Sequence, residues 1–428
     1  MCPGRPEAHS AEIVELAIER IGARGDGVAQ YRGEPVFVPF TVPGDRVRAR
    51  LGARRHGGWE GYVADRLACG PERVAPPCRH FGTCGGCALQ HLDGASYRRV
   101  KLERLDTALE RVGICPDIVG PMRLVPPERR RARLGISRPR DPRLPARVGY
   151  RERFRHDLID LRECPVLEPA IFALIGRLRH VACGLIPPGG SAEATLTRTD
   201  SGVDLLIEAA ERPDLDICEV LARLAGECDL ARIVWRSGPD DLVIVERRPV
   251  RVLLSGVAVP FPPGAFLQAS PSAEEILVEE VVSGVGSGRP VLDLFAGLGT
   301  FTFALAGDGP IHAIEGEARS VDALARAAAD RPRVTVECRD LARNPVPPSA
   351  LARYAAAVFD PPRAGAARQA EALAASAIET VIALSCNPAT FARDAAKLVG
   401  GGYRLERVIP VDQFVWTPHL ELAAVFRR

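Results

Sequence analysis

A cysteine in "LSCNPATF" (384 to 391) and a glutamate in "HLELAAVF" (419 to 426) are the two side chains best suited to covalent chemistry in this chain. The apolar run ValIleAlaLeu (381 to 384) reads as a strand, and Pro388 ends it, because proline has no N–H for a ladder and biases Asn387 away from the helical region. Cys386 therefore sits at the carboxyl end of a strand, where open α/β sheets bind ligands. A cysteine there could be a small buried hydrophobe or a nucleophile. His419 and Glu421 are expected on one face of a final strand. The apolar surroundings of Glu421 would raise its pKa and suit it to proton transfer, against the commoner fate of a surface carboxylate.

Two further motifs describe a pocket. In "DLFAGLGTF" (293 to 301), Gly297 and Gly299 follow an apolar strand and allow a tight turn with close approach of a ligand to the backbone. Position 302 is Thr, so this is not the three-glycine dinucleotide fingerprint. The pattern suits an S-adenosylmethionine site, where a methionine zwitterion replaces a pyrophosphate. Glu315 ends the next strand, sixteen residues after Gly299, and is placed to accept ribose hydroxyls. "FDPPRAG" (359 to 365) makes a rigid, polar lip at a later strand end. Arg363 stands where amino-group methyltransferases usually carry a stacking aromatic, which weakens an adenine-N6 reading. Cys78, Cys84 and Cys87 have the spacing C-x5-C-x2-C, and Cys164 could add a fourth thiolate. Such a set suits a [4Fe–4S] cluster or zinc, and the spacing does not decide between them. It is not the triad of radical enzymes.

The elements that must position these residues fall into three parts. Residues 10–67 read as short strands with glycine turns, a small β-barrel of the oligonucleotide-binding (OB) type, after a mobile tail over the first ten residues. Residues 68–262 hold the cysteine cluster, a helix from Ala95 to Val112, and mixed α and β. Residues 263–428 alternate apolar strands with helices, the pattern of a doubly wound α/β, Rossmann-like sheet. The chain is thus expected to be multidomain.

At 428 residues, with 46% hydrophobic and 26% charged residues, the composition is that of a globular protein. No apolar run approaches a membrane span and the N-terminus is no signal peptide, so a cytoplasmic protein without membrane contact is expected, its cysteines reduced. Net charge is only +2. Residues 129 to 155, however, hold eleven arginines against Asp141 and Glu152, a candidate nucleic-acid surface or simply a solvated face.

Taken in order, the N-terminal barrel, "CGGCALQH", "GAFLQAS", "DLFAGLGTF", "FDPPRAG", "LSCNP" and the terminal "HLE" resemble the RNA 5-methyluridine methyltransferases over nearly the whole chain, near the iron–sulfur branch acting on 23S ribosomal RNA. The resemblance implies a TRAM-like barrel and a [4Fe–4S] cluster on Cys78, Cys84, Cys87 and Cys164. It implies S-adenosyl-L-methionine contacts from Gln268, Phe295, Thr300, Glu315, Asp340 and Asp360, with Cys386 as nucleophile and Glu421 as base. It implies a monomer acting on RNA, ribosomal RNA foremost, with transfer RNA as the alternative. The chain departs from the family at Ser270 and Thr300, where Asn is frequent, and at Val415 and Trp416, which replace Pro-His. The chemistry is coherent: C5 of uracil is a weak nucleophile until a thiolate adds to C6, and the C5 hydrogen must then be removed by a base. N-methylation would need neither group, and a non-catalytic RNA-binding iron–sulfur sensor would need no cofactor loop.

Overall fold

The computed structural model describes residues 12–55, 57–154, 157–307 and 309–428, so the tail expected at residues 1–10 lies outside the described residues. The chain divides into two compact units, Met1–Arg104 with Trp416–Pro418, and Leu105–Val415 with His419–Arg428.

The first unit is built on a six-stranded sheet, in the order Ile13–Ala17, Arg46–Arg55, Gly58–Ala68, Glu34–Val38, Gly27–Tyr31, Arg20–Ile21. Alternation along Ile13–Ala17 turns Val14 and Leu16 into a core with Val36, Val38, Val47 and Ala49. Beyond Ala68 the chain loops, with few regular elements, as far as the helix Gly94–Glu110, and the three clustered cysteines lie in this loop. Phe81 meets Phe40 edge-on, with ring centroids 5.0 Å apart, and so pins the loop to the end of a strand.

The second unit holds two large sheets. The first runs Asp240–Glu246, Arg232–Ser237, Gly202–Glu208, Ser191–Thr199, Arg131–Ser137, Arg147–Gly149. The helices Pro169–Leu185 and Leu215–Glu227 share its core through Ile171, Leu178, Leu221 and Leu224. The second sheet has eight strands, in the order Val334–Cys338, Ile311–Glu315, Val291–Leu294, Ala356–Phe359, Thr380–Ser385, Glu421–Arg427, Arg404–Asp412, Arg123–Leu124. Its first five strands are parallel, and Val291–Leu294, Ala356–Phe359 and Thr380–Ser385 are buried at every position, as a sheet covered on both faces requires. Glu421–Arg427 enters antiparallel between Thr380–Ser385 and Arg404–Asp412. Strand order reverses at Val291–Leu294, whose neighbours are the next strand in sequence on one side and Ala356–Phe359 on the other. That reversal opens a crevice at the carboxyl ends of the strands. No helix among the described residues is long and apolar enough to cross a membrane.

Candidate active site

The turn after Val291–Leu294 is strained in a useful way. Phe295 has φ +63°, unusual for a residue with a side chain, and Gly297 and Gly299 have φ +55° and +95°. A Cβ at Gly299 would come within 2.5 Å of Leu324 and 2.8 Å of the Phe303 ring, so glycine is required there on two counts. Glu315, ending the neighbouring strand, reaches back to this turn. One oxygen accepts the Gly297 N–H at 2.9 Å, and the other accepts those of Gly316 and Glu317 at 2.7 and 2.8 Å. The carboxylate expected to meet a ribose therefore also braces the glycine loop.

Two strands along, the Asp-Pro-Pro lip and the cysteine turn are tied to each other. Asp360 follows Phe359, and its N–H bonds to Leu294 O at 3.2 Å. Asn387 caps the helix Pro388–Gly400 through its own oxygen, accepting from Ala389 N, and gives its side-chain N–H to Arg363 O at 3.2 Å. Thr390 donates to the same carbonyl at 3.3 Å. Cys386 thus occupies the single position between a buried strand and a helix cap, half-buried, with a helix N-terminus beside it. Glu421 arrives from the antiparallel neighbour: Ser385 pairs with Leu422, so the next residues outward are Cys386 and Glu421. The strand begins at Glu421, and His419, expected on it, precedes it.

These turns enclose one cleft of about 990 Å³, which is lined by Gln268, Phe295, Glu315, Asp360, Cys386 and Glu421, together with Phe266, Arg236, Arg319 and Arg363. Two expected cofactor contacts are not among its lining residues. Thr300 opens the helix Thr300–Leu305, and Asp340 is exposed in a turn, where its carboxylate accepts N–H groups from Ala342 and Arg343.

The cleft gathers negative charge. Asp293 is fully buried. One of its oxygens takes the Thr302 hydroxyl at 2.5 Å, and the other has no hydrogen-bond partner among the described residues. Burial, partly offset by the Thr302 hydroxyl, pushes its pKa up to about 6. Burial and then the charges of Asp293 and Glu315 push Asp360 up to about 7. Glu421 is raised well above the ordinary carboxylate range by burial and by Asp360, with a hydrogen bond from Gln413 working the other way. Burial, then Glu421 and Asp360, raise the Cys386 thiol to about 11, against a lowering pull from Arg363. Such a set, with an unpartnered buried carboxylate oxygen and a glycine cradle, fits a ligand carrying positive charge. S-adenosylmethionine carries a sulfonium and an ammonium, and the residues present fit it.

The cysteine set is a different matter. In the first unit, Cys84 Sγ accepts the Gly86 N–H at 3.4 Å and the Cys78 N–H donates to Gln90. In the second unit, Cys164 is half-buried against the core of the six-stranded sheet, its thiol pKa raised by burial. Among the described residues, no three His, Cys, Asp or Glu side chains are gathered as a metal site. Four thiols are the right donors for a cluster. Many of the clustered arginines serve the fold. Arg130 bonds Gln268 O and Glu274, Arg131 bonds Gly264 O, Arg138 bonds the carbonyls of Cys183 and Ile186, and Arg143 pairs with Asp141.

Sequence reasoning passed over Gln413, Phe266 and the separate role of Asp293. Gln413 lies in "DQFVWTPHLE" between two sequence landmarks, and nothing in its type or spacing marks it out. Its importance is in three hydrogen bonds that only the folded chain makes.

Comparison with known proteins gives three findings. A family profile for tRNA (uracil-5-)-methyltransferases matches residues 346–428. Among curated proteins, an uncharacterized RNA methyltransferase of Caulobacter vibrioides is 41% identical, over 97% of this chain and 100% of that one. The 23S rRNA (uracil(1939)-C(5))-methyltransferase RlmD of Halomonas elongata is 36% identical, over 95% of this chain and 88% of its own. Among solved structures, the Pyrococcus abyssi tRNA (uracil-54, C5)-methyltransferase in complex with S-adenosyl-L-homocysteine shares the fold. Its TM-score is 0.72 at 24% identity, covering 96% of this chain and 100% of that one.

Proposed function

The chain belongs to the RNA (uracil-5-)-methyltransferase family, and from that premise we propose that it methylates C5 of a uridine in 23S ribosomal RNA through a covalent Cys386–C6 adduct, with Glu421 as the base. The observation that carries the reading is the meeting of a thiol, a buried carboxylate and an acidic, glycine-lined cofactor cradle in one cleft. The ribosomal target rests on the likeness to RlmD.

S-adenosylmethionine supplies the electrophilic methyl group. The rest falls to this chain. Gln268, Phe295, Glu315 and Asp360 would hold the cofactor, Asp360 by meeting its positive charge, and Thr300 and Asp340 would be further contacts outside the cleft's lining. The Cys386 thiolate adds to C6 of a uracil turned out of its stack, and the electron pair moves into the ring as an enolate that makes C5 a nucleophile. After methyl transfer, Glu421 takes the C5 proton, the C5–C6 double bond re-forms, and the Cys386–C6 bond breaks. Burial, and after it the charges of Glu421 and Asp360, raise the Cys386 thiol to about 11. The N-terminus of the helix Pro388–Gly400 and Arg363 favour the thiolate.

The test is to incubate the protein with the cofactor and unmodified 23S ribosomal RNA and to map the methylated nucleosides by mass spectrometry. 5-Methyluridine in the ribosomal RNA is expected. Methylation only of transfer RNA would replace the ribosomal target, and N-methylated bases or 5-methylcytidine would overturn the reading.

We also propose that the N-terminal sheet is a TRAM-like RNA-binding barrel and that Cys78, Cys84, Cys87 and Cys164 hold a [4Fe–4S] cluster. The cluster's role would be structural, since it would join segments far apart in the sequence. Support comes from the four thiols and from the N–H bond to Cys84 Sγ, of the kind that stabilises cluster sulfurs. Protein purified without oxygen should be brown and hold about four irons per chain. Cys84→Ser should lose the iron and bind RNA more weakly before its cofactor affinity falls. Colourless, active protein holding one zinc would remove the cluster and leave the methyltransferase reading intact.

A further inference from the structure

Gln413 is not among the cleft's lining residues, yet its side-chain amide is fully engaged and nearly buried. Its oxygen accepts the Ala269 backbone N–H at 3.1 Å. Its nitrogen donates to Glu421 Oε2 at 2.6 Å and to Gln268 Oε1 at 2.9 Å. The orientation of this amide follows from its partners. A backbone N–H can only donate, so the Gln413 oxygen must face Ala269 and its NH2 must face Glu421 and Gln268. Gln268 must then accept with its own oxygen, which leaves its NH2 as the end free to serve the cleft. The chain of bonds is anchored at its far end, where Gln268 O accepts from Arg130, itself paired with Glu274 at 2.7 Å.

We infer that Gln413 is a positioning residue acting through two cleft side chains. It clamps one oxygen of Glu421 so that the other faces the substrate proton, and it fixes the Gln268 amide with its donors toward the bound ligands. This deepens the reading above and rests on Glu421 being the base. The physical effect on Glu421 is twofold. An N–H donor favours the carboxylate over the acid, opposing burial and the charge of Asp360, and it removes a rotational freedom that would otherwise spread the carboxylate over unproductive orientations.

The test compares Gln413→Met, similar in length but without polar atoms, with Gln413→Asn, which keeps the donor one methylene short. Thermal melts report folding. For Gln413→Met, kcat is expected to fall by about 10- to 100-fold, with KM for RNA nearly unchanged. The rising limb of the kcat–pH profile should move to higher pH, because Glu421 now gives up its proton less readily. Covalent protein–RNA adduct should be present at steady state, since elimination has become slow. KM for S-adenosylmethionine should rise as Gln268 loses its fixed orientation. Gln413→Asn should show the same changes, smaller in size, and it carries the test if the Met variant fails to fold. A lower melting temperature with an unmoved pH limb and no adduct would overturn the inference, because packing alone would explain it. Glu421→Gln separates the two readings. If that variant turns over like the parent protein, the base assignment itself has failed. If it accumulates adduct while both Gln413 variants do not, only the role of Gln413 has failed.

Discussion

Cys386→Ala should methylate RNA at least on the order of 10⁴-fold more slowly than the parent chain, while binding S-adenosylmethionine almost as well. The substitution removes the cleft thiol proposed to add to C6, and without that addition C5 does not become nucleophilic. The cofactor contacts come from other strand ends, and a neutral thiol contributes no charge to the acidic cleft, so the cradle is untouched. The check pairs single-turnover kinetics with calorimetric cofactor binding. A second readout uses RNA carrying 5-fluorouridine at the target. Fluorine cannot leave as a proton, so the parent chain should be trapped as a denaturant-stable, mass-shifted complex, and Cys386→Ala should give none. Residual methylation within about tenfold of the parent rate would exclude the covalent route.

Glu421→Gln should do the reverse, forming the adduct and then stalling. The amide keeps the shape and the bond with Gln413 but cannot take the C5 proton, so product release should slow by about 10²- to 10⁴-fold while methylated adduct accumulates. The pH dependence gives a second signature. Glu421 lies well above the ordinary carboxylate range, so in the parent chain the fraction able to act as base grows as pH rises through its raised pKa, and elimination speeds up with it. In Glu421→Gln that dependence should vanish from the elimination step. Rapid-quench separation of adduct and free product across pH measures both. Full activity in this variant would pass the role to another group, His419 first, although the structure places His419 ahead of the strand and not among the cleft's lining residues.

The sequence by itself determined the pieces that are written locally. Parallel strands buried on both faces must be short apolar runs, and the turns that end them need glycine or proline. "VLDLFAGLG", "AAVFDPP" and "VIALSCNP" therefore announced their strand ends before any contact was known. Nucleophile, candidate base and cradle could be named because each sits at such an end. The helix expected over Ala95 to Val112 runs Gly94–Glu110. Pairing was not written locally. Cys386 and Glu421 meet because the last strand enters antiparallel in the register Ser385 to Leu422, and a slip of one residue would turn Glu421 to the opposite face. The joining of Arg123–Leu124 to Arg404–Asp412 at the edge of the last sheet, with Val411 beside Arg123, is equally invisible in a local pattern. Charge likewise became meaningful only when folded. The arginine run looked like a surface for phosphates, and several of its members proved to be spent on carbonyls and carboxylates of their own chain. The raised pKa values of Asp360, Glu421 and Cys386 are properties of their mutual distance and burial, which no spacing along the chain encodes. Gln413 is the clearest case, since a glutamine's value lies wholly in which donors and acceptors surround it, and those come from residues 268, 269 and 421. Local sequence settled what each strand end offers, because steric and burial rules act over a few residues. Tertiary structure decided which ends meet, because register and electrostatics act between residues that the chain keeps far apart.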